Sequence, residues 1–434
     1  MNYRIIRTSH IGMYQRAIKD EIAAKVKNFE DLTFAEKVAK VFELSPVYSD
    51  SFSRSMIKLG NDALEIIYDF EMLQKSWAHE NGVSYSEDSW KEEILLAQIK
   101  SFRPEVLHFQ GDDPFRGLCI DLKREVDSLK VVAVHSGFPE PDIFRKMKNL
   151  DIIFSGTPEI CDLYSNQGLN AKLLYHGFDT RVLDKIGSIS KDHIFTFSGS
   201  SGFGYGMSHR SRYVYLKALL KETNLEAWLY EKVPFAKENP DTLSSLKDQY
   251  LQDLLIDLDK LHIPQRESLL NALLLDNSKA GFDFINIYKD NDKQDTKAIP
   301  QIPLSILYKN KCHEAVFGID MYRLLAQSKM TFHKHTDAVN KSVGAMRLFD
   351  ATGVGTCLIS DTAQNMSDLF EEDKEIVTYS TYDECREKIL YLQNNPSLID
   401  EIAKAGQRKT LTTHSIDKRC ELVHSQYLEL LKVS

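Results

Sequence analysis

The sequence predicts an α/β fold of two doubly wound domains that face each other across a cleft, with helical insertions. Three observations carry this expectation. Short apolar runs alternate with helical patterns through most of the 434 residues. Several of those runs are continuous rather than alternating, as strands buried on both faces must be. The runs fall into two sets, separated by turn-forming residues that include Gly177, Asp179, Gly187, Ser188 and Ser190.

The first set is expected as strands at 3–7, 106–109, 131–135, 152–155 and 172–175. The second is expected at 194–198, 225–230, 330–333, 356–360 and 376–379. Strand, helix, strand in succession implies right-handed crossovers and parallel sheets. The domains are therefore placed at 1–183 and 193–415, with a linker at 184–192 and an insertion at about 232–303. A stretch at 45–90 reads as mostly helical decoration of the first domain. Within the insertion, Leu251, Leu254, Leu255, Leu258 and Leu261 recur at helical spacing, and 289–297 reads as a solvated loop. Toward the end, Asn395-Pro396 is a helix start with proline at its first position. Ser415 caps a terminal helix over 416–434 that carries Ile416, Cys420, Val423, Tyr427 and Leu430 on one face and is expected to cross back to the first domain.

Composition narrows the function. Hydrophobic residues make up 43% and charged residues 27%, which excludes a largely disordered chain. The 54 Lys and Arg against 63 Asp and Glu leave a net charge of −9, opposite to a protein that coats a polyanion, so no nucleic-acid partner is expected. No run approaches ~18 apolar residues, so membrane contact is at most peripheral, and no secretory signal is visible; the expected location is cytoplasmic. The six cysteines are scattered, without a Cys-x-x-Cys pair, and argue against a disulfide framework or a zinc ribbon.

Ligands of doubly wound sheets sit outside the carboxyl ends of the strands, so the chemistry belongs in the loops that follow them. Residues 340–361, NKSVGAMRLFDATGVGTCLISD, read as a loop, a helix from about 343 to 352, a glycine turn and a buried strand. A helix start offers free N–H groups and a favourable dipole to an anion. Ser342, Val343 and Gly344 stand at that start, and Asp350 lies ~12 Å further along the helix, a span suited to a phosphate and a ribose. Residues 197–212, FSGSSGFGYGMSHRSR, run from a strand through four glycines to Arg210 and Arg212. Gly202 and Gly204 would let backbone approach a phosphate, and an arginine can bond its oxygens in pairs. This is neither a Walker loop nor a dinucleotide-binding fingerprint. In the first domain, His135 ends a buried strand and faces the cleft; Gly12 follows the first strand. His10, His108 and the loop 111–114 are weaker candidates. The Asp-x-Asp pairs at 257–259 and 290–292 read as surface charge, and no metal site is expected.

Residues 340–361 resemble the donor-binding motif of the group 1 glycosyltransferases with a GT-B fold. In retaining members two glutamates are separated by seven residues and the second is followed by Ala-x-x-x-Gly. Asp350-Ala351-Thr352-Gly353-Val354-Gly355 matches the second half with Asp for Glu, and Ser342 stands where the first Glu would be. Further likeness to one bacterial branch lies in 198–212, 318–329, 347–350, 369–379, Ala405-Gly406-Gln407 and Thr413-His414. In all it spans about 194–424, interrupted by 232–303; over the first domain it is diffuse and rests on Leu107-His108 and Val134-His135.

The resemblance implies two Rossmann-like domains, the first for the acceptor and the second for a nucleotide sugar. It implies catalytic roles for His135 and Arg210, and donor contacts from Gly12, Gly202, Gly204, Arg212, Ser342, Val343, Gly344, Arg347 and Asp350. The donor would be UDP- or GDP-linked, with no metal or other cofactor and with retention of configuration. The acceptor would be a glycan or lipid-linked saccharide of bacterial polysaccharide biosynthesis, met in the cytoplasm or peripherally at the inner face of the membrane. Two other readings stay open at this point: a nucleotide-sugar epimerase of the same fold, and a catalytically silent GT-B binding module, which the serine at 342 favours.

Overall fold

The computed structural model describes residues 2–44, 49–111, 115, 122–137, 150–203, 209–231, 304–337 and 341–433. The expected insertion at 232–303, Gly204, Asn340 and the loop 112–114 lie outside the described residues. Among the described residues, no helix is long and apolar enough to cross a membrane.

Two parallel six-stranded sheets form the frame. The first holds β1 (Arg4–Ser9), β2 (Asp62–Ile67), β3 (Val106–Gln110), β4 (Val131–His135), β5 (Ile152–Ser155) and β6 (Ala171–Leu173) in the order β2-β1-β3-β4-β5-β6. The second holds β7 (His193–Ser200), β8 (Glu226–Tyr230), β9 (Cys312–Glu314), β10 (Ser328–His333), β11 (Cys357–Asp361) and β12 (Val377–Tyr379) in the order β12-β11-β10-β7-β8-β9. Both sheets reverse their winding at the first strand, so their switch points lie between β1 and β3 and between β7 and β10. Ligands of such sheets enter at those points.

The expected strands all appear, within a few residues of their places, for the reason given: β4, VVAVH, is buried along its whole length. Val132 and Val134 pack one way with Leu107 and Phe109, while Val131 and Ala133 pack the other way with Ile5, Val106 and Ile152. Two strands depart from expectation. β2 lies inside the stretch read as mostly helical. Its Ala, Leu and Glu are good helix formers, and it is a strand because it pairs with β1 from Arg4↔Asp62 to Ser9↔Ile67. β9 is a three-residue edge with exposed His313 and Glu314 and no apolar run to announce it.

The chain crosses between domains twice at one place. The Phe178 N–H donates to the His414 carbonyl (2.8 Å), and the Ile416 N–H donates to the Phe178 carbonyl (2.9 Å). Gly177 permits this, since a Cβ there would sit 2.8 Å from Ile416 Cα. Helix α1 (Ser51–Lys58) and the terminal helix α7 (Ile416–Val433) then pack on the same face of the first sheet. Cys420, Val423, Tyr427 and Leu431 of α7 meet Tyr3, Val106 and Val131, and the Ser415 hydroxyl accepts the Lys418 N–H at 3.4 Å. Leu431, rather than the expected Leu430, completes the buried stripe. The Tyr427 hydroxyl shares a 2.6 Å hydrogen bond with His108 Nδ1 beneath it.

Tyr427→Ala should therefore loosen the C-terminal helix and the first sheet together. A loss of about 3–5 kcal/mol, the usual cost of deleting a buried aromatic ring, is expected by denaturant unfolding.

Candidate active site

The second-domain half of the site gathers where β7 and β10 part. Helix α3 (Arg210–Glu222) begins after β7, and helix α5 (Met346–Gly353) follows β10. Gly202 turns the chain before α3 with φ +88°, and a Cβ on it would lie 2.5 Å from the His209 carbonyl oxygen. The glycine is required on both counts. Arg210 is the first residue of α3. Arg212 donates through Nε and Nη2 to the Lys334 carbonyl (3.0 and 2.7 Å), which ties α3 to the end of β10. Burial lowers the affinity of this guanidinium for its proton. Arg347 donates from Nη2 to the Ser198 carbonyl at 3.0 Å, which ties α5 to the end of β7.

The helix carrying Asp350 starts later than expected. Ala345 is its N-cap, and 343–345 is loop. The reason is Asn365, whose Oδ1 accepts the Val343 N–H and whose Nδ2 donates to the Val343 carbonyl, both at 2.8 Å. With both backbone groups held by a side chain, Val343 cannot enter a helical ladder. Asp350 thus stands only four residues beyond Met346, ~6 Å along the axis rather than ~12 Å. It is 7% exposed and accepts a 3.1 Å hydrogen bond from the Tyr322 hydroxyl on helix α4 (Gly318–Gln327). Burial pushes its carboxyl up to about 6, against the pull of Arg347 and Tyr322.

The loop before α5 meets the first domain directly. Gly344 lies against Gly156, so that a Cβ on Gly344 would collide with the Gly156 carbonyl. The Ser342 hydroxyl donates to Glu159 in the first turn of helix α2 (Pro158–Ser165). A carboxylate from the first domain therefore stands beside the serine at 342.

The first-domain half is a row of polar side chains on the face covered by α7. Arg7, His108 and His135 project from β1, β3 and β4, and Arg7 lies opposite His108 in the sheet. Arg7 pairs with the buried Glu65 at 3.0 Å, and burial pushes that carboxyl up to about 7. His135 stacks on His176 with ring centres 5.2 Å apart. Burial, followed by the neighbouring His176, His108 and Arg7, holds His135 well below the ordinary histidine range. It is a neutral imidazole at physiological pH. Arg7, His108, His135, His176 and Met346, the last at the start of α5, line one small cavity of about 70 Å³ between the domains.

Gly12 stands apart from that cavity. It follows β1 with φ +44°, and its N–H and that of Ile11 donate to the two carboxylate oxygens of Asp69, each at 2.9 Å. His10 fills the switch point of the first sheet, where a Cβ on Gly111 would be 2.9 Å from its Nε2. Sequence reasoning missed Lys334 and Asp361. His335 Nδ1 and Lys334 Nζ flank the Asp361 carboxylate at 2.5 and 2.6 Å and hold it well below the usual carboxylate range. The alternation of His333 and His335 was the available signal. Among the described residues no group of three metal-ligating side chains converges.

Residues 289–425 match the family described as glycosyl transferase-like. No curated protein matches the sequence. A glycosyltransferase from Rickettsia africae is similar over 100% of both chains, with 9% identity and a TM-score of 0.52. HepE from Anabaena, solved in complex with UDP and glucose, is similar over 99% of this chain and 100% of its own, with 9% identity and a TM-score of 0.53. Sucrose-phosphate synthase from Thermosynechococcus elongatus is similar over 100% of both chains, with 6% identity and a TM-score of 0.52. Likeness at such identity is a likeness of fold. The chain has the GT-B fold, and the glycosyl transferase-like match falls within its second half.

The raised Asp350 carboxyl has a stability signature. Its native proton affinity exceeds that of the unfolded chain, so it stabilises the fold fully below pH ~4 and loses this contribution as pH rises through about 6. Asp350→Asn should gain stability relative to wild type between pH 4 and 7, on the order of 2–3 kcal/mol, in urea titrations at each pH.

Proposed function

We propose that the protein transfers a sugar from a nucleotide-diphosphate sugar to a glycan or lipid-linked saccharide acceptor, without a metal ion and with retention of configuration. The observation that carries this reading is the meeting of His135 and Met346 in one interdomain cavity: the end of a first-domain strand faces the start of the second-domain helix that bears Asp350. A UDP-linked donor is favoured, because the structurally similar HepE was solved with UDP and glucose. Work in the cytoplasm, or peripherally at the inner face of a membrane, belongs to the same proposal.

Bond cleavage gives an oxocarbenium-like sugar and a diphosphate that gains negative charge. Free N–H groups at the start of α5 and the Arg210 side chain would receive that charge. Gly202 turns the loop after β7 toward the start of α3, beside that charge. Arg347 and Arg212 hold the ends of β7 and β10 in place through carbonyl oxygens, so their part is to position the pocket. Asp350 would receive a ribose hydroxyl. A neutral His135 can bond a sugar or acceptor hydroxyl without repelling the cationic transition state. Ser342 offers a hydroxyl where a carboxylate would be expected, and Glu159 stands beside it as the nearest anionic replacement.

UDP titrated calorimetrically into wild type should bind, and Asp350→Ala should weaken it about tenfold or more, the loss of ~1.4 kcal/mol. Equal affinity in a folded variant removes Asp350 from the donor site. Arg210→Ala should lower turnover of a working donor–acceptor pair about 100-fold, the usual effect of one lost charge-stabilising contact. A rate within a factor of two of wild type overturns its role.

A further inference from the structure

The cavity beneath His135 has an unbalanced charge. Its described lining holds two arginines, Arg7 and Arg419, and three histidines, His108, His135 and His176, with no carboxylate among them. Arg7 has Glu65 behind it. Arg419, from α7, is 9% exposed and has only neutral neighbours among its described contacts. Its Nε donates to the His176 carbonyl at 3.1 Å, its Nη2 meets His414 Nδ1 at 2.7 Å, and the rings of Tyr175 and Phe349 lie within 6 Å of the guanidinium. Burying a cation without a counter-ion costs several kcal/mol. The Nε2 atoms of His108 and His135, in side chains only 1% and 5% exposed, are buried without a hydrogen-bond partner. Buried polar atoms of this kind rarely stay unpaired in a folded protein. The cavity volume of about 70 Å³ is several times the ~10–15 Å³ that seats one water.

We propose that this cavity binds a compact oxyanion, a phosphate or a carboxylate, held between Arg7 and Arg419 with the buried histidines as neutral partners. The anion supplies the missing counter-charge. It also bridges β1 of the first domain to the crossing point at Gly177 and Ile416, so its occupancy bears on how the two domains are held. The oxyanion has two sources of the same chemistry: a free anion, or a charged group of the donor. The inference does not need the transfer reaction, only the cavity.

The full chain should be melted with inorganic phosphate alone, with UDP alone and with both. Phosphate should raise the wild-type Tm by about 2–4 °C at a large excess over Kd, and Arg419→Met should abolish that shift. Additive phosphate and UDP shifts assign the site to a free anion; mutually exclusive shifts assign it to the donor's phosphates. An equal phosphate response in wild type and Arg419→Met overturns the proposal, and a UDP response without any phosphate response overturns it while leaving the transferase reading intact. A crystal of the wild type soaked in selenate gives a second measurement that does not depend on a variant folding. Anomalous density between Arg7 and Arg419 supports the site, and its absence there overturns it.

Discussion

The pairing of Phe178 with His414 and Ile416 is the constraint on which the rest of the molecule depends. Two chain segments more than two hundred residues apart cross the domain boundary side by side, with a glycine at the closest point. Because the second crossing continues into α7, the last helix of the chain packs on the first sheet rather than on its own domain. A hinge made of two segments bridged in parallel by short hydrogen bonds resists sliding and leaves rotation as the soft motion. The carboxyl ends of both sheets are thereby held toward each other, which is the prerequisite for any chemistry between them.

Charge on the two sides of that boundary is handled differently. In the second domain the arginines Arg212 and Arg347 are committed to carbonyl oxygens, and Asp361 is held ionised by Lys334 and His335. In the first, burial keeps His108, His135 and His176 neutral beside two arginines. For the proposed transfer, an anion on one side and a cationic sugar on the other are served by this division, since neutral imidazoles oppose neither.

Much of the fold was legible because parallel buried strands leave a local mark. Residues 131–135 and 152–155 are strands with the expected bounds, since every side chain in them is apolar or strand-ending and has no solvent face to serve. The start of α7 at Ser415 and the proline opening of the preceding helix α6 (Pro396–Thr413) were legible for a similar reason: caps are written within three or four residues. β2 was not legible, because its composition favours helix and its partner β1 lies nearly sixty residues away. Nor was the late start of α5, which is set by a single asparagine twenty-two residues downstream.

The sequence by itself determined the two-sheet α/β architecture, the placing of most strands and the stretch around Asp350 that bears the donor-motif likeness. These depend on runs of a few neighbouring residues, and hydrophobic burial acts on such runs directly. Only the tertiary structure decided which charges share a cavity. Arg7, His135, His176 and Arg419 come from a strand near the start, a central strand, the crossing segment and the last helix, and no local pattern links them. Their meeting follows from the return of α7, and burial lowers the proton affinities of His135, His176 and Arg419.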